Sequence, residues 1–273
     1  MKGRTDYFNG LQPFEISIRY VDIYADSPEN VHNDHIHEEC EIYINLSGNV
    51  SFVVENNVYP IQPGSIIITR PFEYHHCVYH SNERHRHFWI LFSSSGNEEL
   101  FDIFFKRKPG EKNFIMLSPD KTEELVSLCY NLTEKSESEL KKYCRFFKLI
   151  ELLNGADIVN SPDTSYPDDI VYAINYINNN FTEKISITEL AQKTHMSVNT
   201  LERRFSDVLG MPPSVYIKNK RLANSIKLLS DGCSVTEAAE KSGFADYSGF
   251  IALFKKTYGI TPLKYKKSKN ILH

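Results

Sequence analysis

Between about Phe14 and Phe92, apolar and polar positions alternate in short runs. Ile42, Ile44 and Leu46 alternate with polar or amphipathic neighbours until Ser47-Gly48-Asn49 breaks the run. Val50, Phe52 and Val54 resume it, and Glu55-Asn56-Asn57 turns the chain. Pro63-Gly64 then precedes Ile66-Ile67-Ile68, and Phe88-Trp89-Ile90-Leu91-Phe92 closes the stretch. A period of two cut by turn residues predicts the short strands of a β-sandwich or small barrel.

From about Asp120 to Asn154 the period becomes helical. Leu125, Leu128 and Leu132 share a stripe after a Ser118-Pro119 start, and Leu140, Tyr143, Phe147 and Ile150 repeat at heptad spacing. The pattern fits helices that cover the sheet. It also fits a helical hairpin over 120–154 whose outer seam joins two copies as a homodimer. Gly155–Pro167, with Pro162, Ser165 and Pro167, reads as an exposed linker. The expected domains are therefore 1–154 and 168–273, joined by 155–167.

The last hundred residues contain a repeat. Ser186-Ile187-Thr188-Glu189-Leu190-Ala191-Gln192-Lys193 recurs 48 positions later as Ser234-Val235-Thr236-Glu237-Ala238-Ala239-Glu240-Lys241. One extra residue then shifts the offset to 49, matching Leu201 with Phe250, Phe205 with Phe254, Gly210 with Gly259, Pro213 with Pro262, and Tyr216 with Tyr265. Each copy opens on the Ser-x-x-Glu of a capping box, and Ala191 and Ala239 leave room for a crossing helix. A tight turn follows, with Gly243 in one copy and His195 in the other suited to a left-handed residue. Ser197 and Asp246 are expected to cap the next helix. Helix, turn, capped helix is a helix-turn-helix, written twice. A linking helix from Pro213 to about Leu229 carries Leu222, Ile226 and Leu229 on one stripe.

In the first copy Leu201, Phe205 and Leu209 face inward. Asn199, Glu202, Arg203 and Ser206 fall on the opposite face, beside Ser197 and Thr200. Amide, carboxylate and guanidinium groups are those that read base edges in a major groove. The second copy presents Tyr247, Ser248, Ile251, Ala252, Lys255 and Lys256, a face poorer in hydrogen-bond chemistry and better suited to thymine methyls and phosphates.

Charge adds to this picture. The 273 residues carry a formal net charge of −4, but residues 1–167 hold 16 basic and 25 acidic side chains and residues 168–273 hold 15 and 10. A net −9 joined to a net +5 suits a cationic unit that meets a polyanion such as double-stranded DNA. No apolar run approaches the ~20 residues of a membrane span, and no signal-peptide core follows Met1. Five scattered cysteines without a C-x-x-C pair suit a reducing cytoplasm. P-loop, dinucleotide-binding and nucleophile-elbow motifs are absent from the sequence.

Residues 168–267 resemble the DNA-binding domain of the AraC/XylS family of bacterial transcription regulators. The resemblance rests on Ser197-x3-Leu201-x-Arg203-x-Phe205, Arg221-Leu222-x2-Ser225 and Gly243-Phe244-x5-Phe250-x3-Phe254-Lys255-Lys256-x2-Gly259-x2-Pro262. Two departures stand in the second reader helix. Ala252 occupies the place of a usual arginine, and Gly249 that of a common aromatic or histidine.

Eight of the ten histidines lie between His32 and His87. His35-Ile36-His37-x3-Glu41-x6-Gly48 resembles the first cupin-barrel motif, and Pro63-Gly64…Pro71-x3-His75 the second. The joint resemblance implies an α+β chain: a cupin-like β-barrel with a helical hairpin, then an all-α domain with two helix-turn-helix motifs. It implies a regulator, not an enzyme, whose barrel uses His35, His37, Glu41, His75 and Trp89 for a small effector such as a carbohydrate. In metal-binding cupins the matching ligands would be His35, His37, Glu41 and His75; no metal is the favoured reading here. His76, His80, His85 and His87 read as exposed loop residues without a role. The competing readings are a metal-dependent cupin enzyme with an accessory DNA-binding domain and a regulator without a small ligand.

Overall fold

The structure, a computed structural model, describes residues 15–24, 36–94, 96–156 and 166–269. His35 and most of the expected linker lie outside them. Among the described residues, eight strands form two antiparallel sheets. One has the order β1 (Ile16–Tyr24), β7 (Arg84–Phe92), β2 (Cys40–Ser47), β5 (Ile66–Thr69), β8 (Phe114–Ile115). The other has the order β4 (Asn57–Ile61), β3 (Val50–Val54), β6 (His75–Tyr79). β4 and β6 carry no clear alternation in the sequence, and their pairing with β3 supplies what their own pattern lacks.

Because side chains alternate across a strand, the two sheets sort their residues into layers. Ile42, Ile44, Ile66, Ile68, Phe88, Ile90 and Phe92 face a helical cover. That cover comprises α1 (Asp102–Phe105), α2 (Pro119–Thr133) and α3 (Glu139–Asn154). On the opposite face of the large sheet, Tyr43 and Ile67 meet Val50, Phe52, Val54, Tyr59 and Ile61 of the small sheet. The small sheet's outer residues, Val53, Val58 and Val78, belong to a third core shared with the C-terminal helices. The order through the molecule is helical cover, large sheet, an inter-sheet layer (the inner space), small sheet, helix-turn-helix domain.

Ahead of the helix-turn-helix units, three expectations change. His76, His85 and His87 lie buried on strands, because both faces of each sheet are covered; His80 alone of that group is exposed. The heptad stripe of α3 divides, with Ile150 in the core beside Phe146, Leu149 and Leu153, while Leu140 is 73 % exposed and Tyr143 also faces out. Tyr166, at the end of the expected exposed linker, docks on the barrel with its hydroxyl 3.2 Å from Ser51 Oγ.

The C-terminal helices are α4 (Asp168–Asn180), α5 (Ile187–Lys193), α6 (Val198–Leu209), α7 (Pro213–Ser230), α8 (Val235–Lys241), α9 (Tyr247–Tyr258) and α10 (Pro262–Lys269). α5–α6 and α8–α9 are the two helix-turn-helix units, and α7 joins them. Leu201, Phe205, Leu209, Leu222, Ile226, Leu229, Phe250 and Phe254 are all buried; truncating one of the phenylalanines to Ala would cost about 3–5 kcal/mol. Ser234 and Glu237 form a complete capping box, whereas Ser186 only accepts from Glu189 N. Ser197 caps α6 by accepting from Thr200 N, but Asp246 makes no side-chain cap bond on α9. Its carboxylate lies over Gly249 instead, 2.5 Å from where a Cβ would stand. That contact is a physical reason for glycine in place of a larger residue there.

Candidate functional site

Two regions concentrate chemistry. The first is the outward face of α6. Asn199 and Arg203 are exposed, with Thr200, Glu202 and Ser206 partly so, while Leu201, Phe205, Val208 and Leu209 anchor the helix from behind. The next residue, Arg204, is tied to Asp169 of α4, which separates a structural arginine from an available one. On α9, Tyr247, Ser248, Lys255 and Lys256 are exposed and Ile251 is half-buried. The turn before α6 holds His195 at φ 55°, and the turn before α9 holds Gly243 at φ 82°. Arg221 of α7 is not surface chemistry: Nε donates to Phe181 O at 2.6 Å and Nη2 to Glu183 O at 2.7 Å. These bonds staple the α4–α5 connection.

The second region is the inner space of the barrel. Glu41 Oε2 lies 3.0 Å from His37 Nε2 and 3.0 Å from His75 Nε2. Each ring is also oriented from behind: His37 Nδ1 donates to Glu39 O at 3.0 Å and His75 Nδ1 to Glu73 O at 2.7 Å. A carbonyl only accepts, so Nδ1 carries a proton in both rings. The two Nε2 atoms then face one carboxylate oxygen, which is attractive only if a further proton or a cation lies between. Burial alone would push the Glu41 carboxyl up, but the charge of His75 and bonds from both imidazoles hold it well below the usual carboxylate range. Burial likewise opposes the charged form of His75, and Glu41 outweighs it, raising the imidazole above its ordinary value.

The strand register places further polar groups on the same inner face. Glu41 pairs with Thr69, Tyr43 with Trp89, and Asn45 with His87. Both polar atoms of the Asn45 side chain, Thr69 Oγ1 and His87 Nδ1 are buried and have no hydrogen-bond partner among the described residues. Burial lowers the His87 imidazole to about 4, so it is neutral, and Tyr43 stacks on it with centroids 4.6 Å apart. Tyr43, Asn45, Thr69 and His87 were not foreseen from the sequence. The available signal was the continuation of Glu41 at i+2 and i+4, which puts Tyr43 and Asn45 on one face. Among the foreseen effector residues, His37, Glu41 and His75 come together. Trp89 stands half-buried beside Tyr43, and His35 falls outside the described residues.

Comparison with known proteins finds matches for both the sheet domain and the helical domain. Residues 21–149 match the model of an AraC-like ligand binding domain, and residues 190–268 match a helix-turn-helix domain. A transcriptional activator, RhaS of Mannheimia succiniciproducens, is 24 % identical over 264 residues, covering 94 % of this chain and 95 % of the relative. YdeC, an uncharacterized helix-turn-helix regulator of Bacillus subtilis, is 34 % identical over 95 residues, covering 34 % of this chain and 33 % of its own. Among solved structures, ToxT of Vibrio cholerae overlaps at a TM-score of 0.37 with 18 % identity, over 93 % of this chain and 96 % of its own. Among the described residues no helix is long and apolar enough to cross a membrane. A ligand-binding barrel followed by a duplicated helix-turn-helix places this chain in the AraC family of DNA-binding transcription regulators.

Proposed function

We propose that this regulator responds to a small polyhydroxylated effector, of the carbohydrate class, held in the inner space of its barrel. The observation that carries the reading is the set of buried, unpaired polar atoms on Asn45, Thr69 and His87. A buried polar group without a partner is costly, and a ligand rich in hydroxyl groups supplies donors and acceptors at once. Glu41, His37 and His75 form the charged end of the site, and Tyr43 and Trp89 offer aromatic faces. Thermal-shift screening against a panel of monosaccharides tests it, since a ligand bound only by the folded state raises the melting temperature. A shift that Asn45→Leu abolishes is expected; no shift with any sugar at millimolar concentration would count against the carbohydrate class.

On the DNA side, Asn199, Glu202, Arg203 and Ser206 read base edges, with Ser197 and Thr200 at the helix start against the backbone. Tyr247, Ser248, Ile251, Lys255 and Lys256 of α9 supply apolar and phosphate contacts. Two copies pair through the exposed Leu140 and Tyr143 of α3, so that Leu140→Lys shifts the protein toward monomer in sedimentation.

A second reading rests on one observation. The ligand atoms of His37, Glu41 and His75 lie within 4.8 Å of one another, and both rings are fixed by carbonyls as metal-binding imidazoles are. Two nitrogens and one carboxylate oxygen suit a divalent transition-metal ion, which would fix the charged end of the effector site. Elemental analysis of purified protein separates the two: a stoichiometric metal lost in His37→Ala supports the metal, and its absence leaves a shared proton.

A further inference from the structure

The small sheet is one strand thick between the inner space and the DNA-binding domain. Consecutive residues therefore face opposite partners. His75 turns inward, with Nε2 3.0 Å from Glu41. His76 turns outward and donates from Nε2 to Leu209 O at 3.0 Å. Leu209 is the last residue of α6, and its carbonyl is one of those a helix leaves without an internal partner. Beyond it, Gly210 caps α6 in the left-handed region at φ 72°, with Val78 of the same strand 3.4 Å from where a Cβ would stand.

The same doubling occurs on the segment before β2. Ile36 packs into the core shared with the C-terminal helices, and His37 lies in the charged cluster. A backbone bond from Phe72 N to His37 O, 2.9 Å, joins the two segments. Phe72 is held at φ 63° and Glu55 at φ 51°. Bulky or charged residues persist in that region only where their surroundings over-determine them, and here they are. Glu73 accepts from Arg107, Gly110 N and Arg70 N. Glu55 accepts from Tyr74 N at 2.8 Å through Oε1, from Lys220 through Oε2, and from the Tyr216 hydroxyl at 3.1 Å through its carbonyl.

We infer that the segment Phe72–Val78, with Glu55 as its clasp on α7, transmits occupancy of the barrel to the position of reader helix α6. His76 is the positioning residue at that helix end. The inference rests on the reading that α6 contacts DNA and that the inner space is the regulated site. A ligand that moves the His75 backbone moves His76 with it, and the C-terminal end of α6 follows. Coupling between two sites is reciprocal, so DNA bound at α6 must be felt in the barrel.

The chain has a single tryptophan, Trp89, set beside Tyr43. Tyr43 stands 4.9 Å from Phe52 and Phe52 stacks on His75 at 6.0 Å, centroid to centroid. Its emission therefore reports on the inner space. The full chain is titrated with a labelled duplex from the region upstream of its own gene, following binding by anisotropy of the label and the barrel by Trp89 emission. The native protein is expected to bind and to change its Trp89 emission. His76→Leu should bind the duplex without that change, and His76→Gln, which keeps a donor, should restore it. Lys220→Met, which removes the ionic bond of the clasp but keeps the stem, should also lose the change and serves if His76→Leu does not fold. Binding by the native chain without an emission change, or a full change in both His76→Leu and Lys220→Met, overturns the coupling and leaves the DNA-binding reading intact. No anisotropy change with the native chain would remove the reading itself, and the coupling with it.

Discussion

The two helix-turn-helix units share a grammar and differ in how tightly each is built. In the second unit the left-handed turn residue is Gly243, and a Cβ there would meet Thr182 O at 2.4 Å. In the first, His195 holds the same conformation with its side chain exposed. Helix α6 has a working Ser197 cap and an outward face of Asn, Glu, Arg and Ser; α9 lacks the cap bond and shows lysines, Tyr247 and Ala252. The first unit thus exposes the richer hydrogen-bonding face, while the second is sterically locked and chemically plain. The two units keep one fold and present different surfaces.

Substitutions that strike one copy should leave the other untouched. Gly243→Ala has the largest expected effect: left-handed strain plus a backbone clash should lower stability by roughly 2–3 kcal/mol, read as a fall in the denaturant midpoint. Arg203→Ala should weaken binding to a preferred duplex by about 1–3 kcal/mol and relax base preference at one position, measured by anisotropy against a set of single-base variants. Lys255→Ala should lower affinity evenly across sequences and reduce the log–log salt slope by about 0.9 if it neutralises one phosphate. The smallest effect belongs to His195→Gly. Relief of left-handed strain is partly offset by the freedom glycine regains in the unfolded chain, so stability should rise by at most about 1 kcal/mol, while Gly243→Ala moves it the other way.

The duplicated domain was legible from sequence because its signals are local. Ser-x-x-Glu, a left-handed turn residue and a three-to-four-residue apolar stripe each act within one or two turns of helix, and Leu201, Phe205 and Leu209 fell where the stripe put them. The barrel was legible only in outline. Ile42 and Ile44 alternate with Tyr43 and Asn45, a pattern that reads as one buried and one solvated face. In the fold both faces are covered, and the polar face lines the inner space. His76, His85 and His87 were misread for the same reason: burial came from a second sheet and a second domain, which no local period encodes. The contacts of His76 with Leu209 and Glu55 with Lys220 span 133 and 165 positions. Nothing short-range announces them.

On the proposed reading the chain reads DNA chiefly with α6 and grips it with α9. Selection of bound duplexes from a random-sequence pool by the full-length native chain tests this most directly. The expected result is an enriched pattern with two blocks about one helical turn apart. One block should be sharply specified and lost in Arg203→Ala, the other weakly specified and little changed by it. No enriched sequence, or a sharp block that survives Arg203→Ala and disappears in Lys255→Ala, would overturn that division between the two helices.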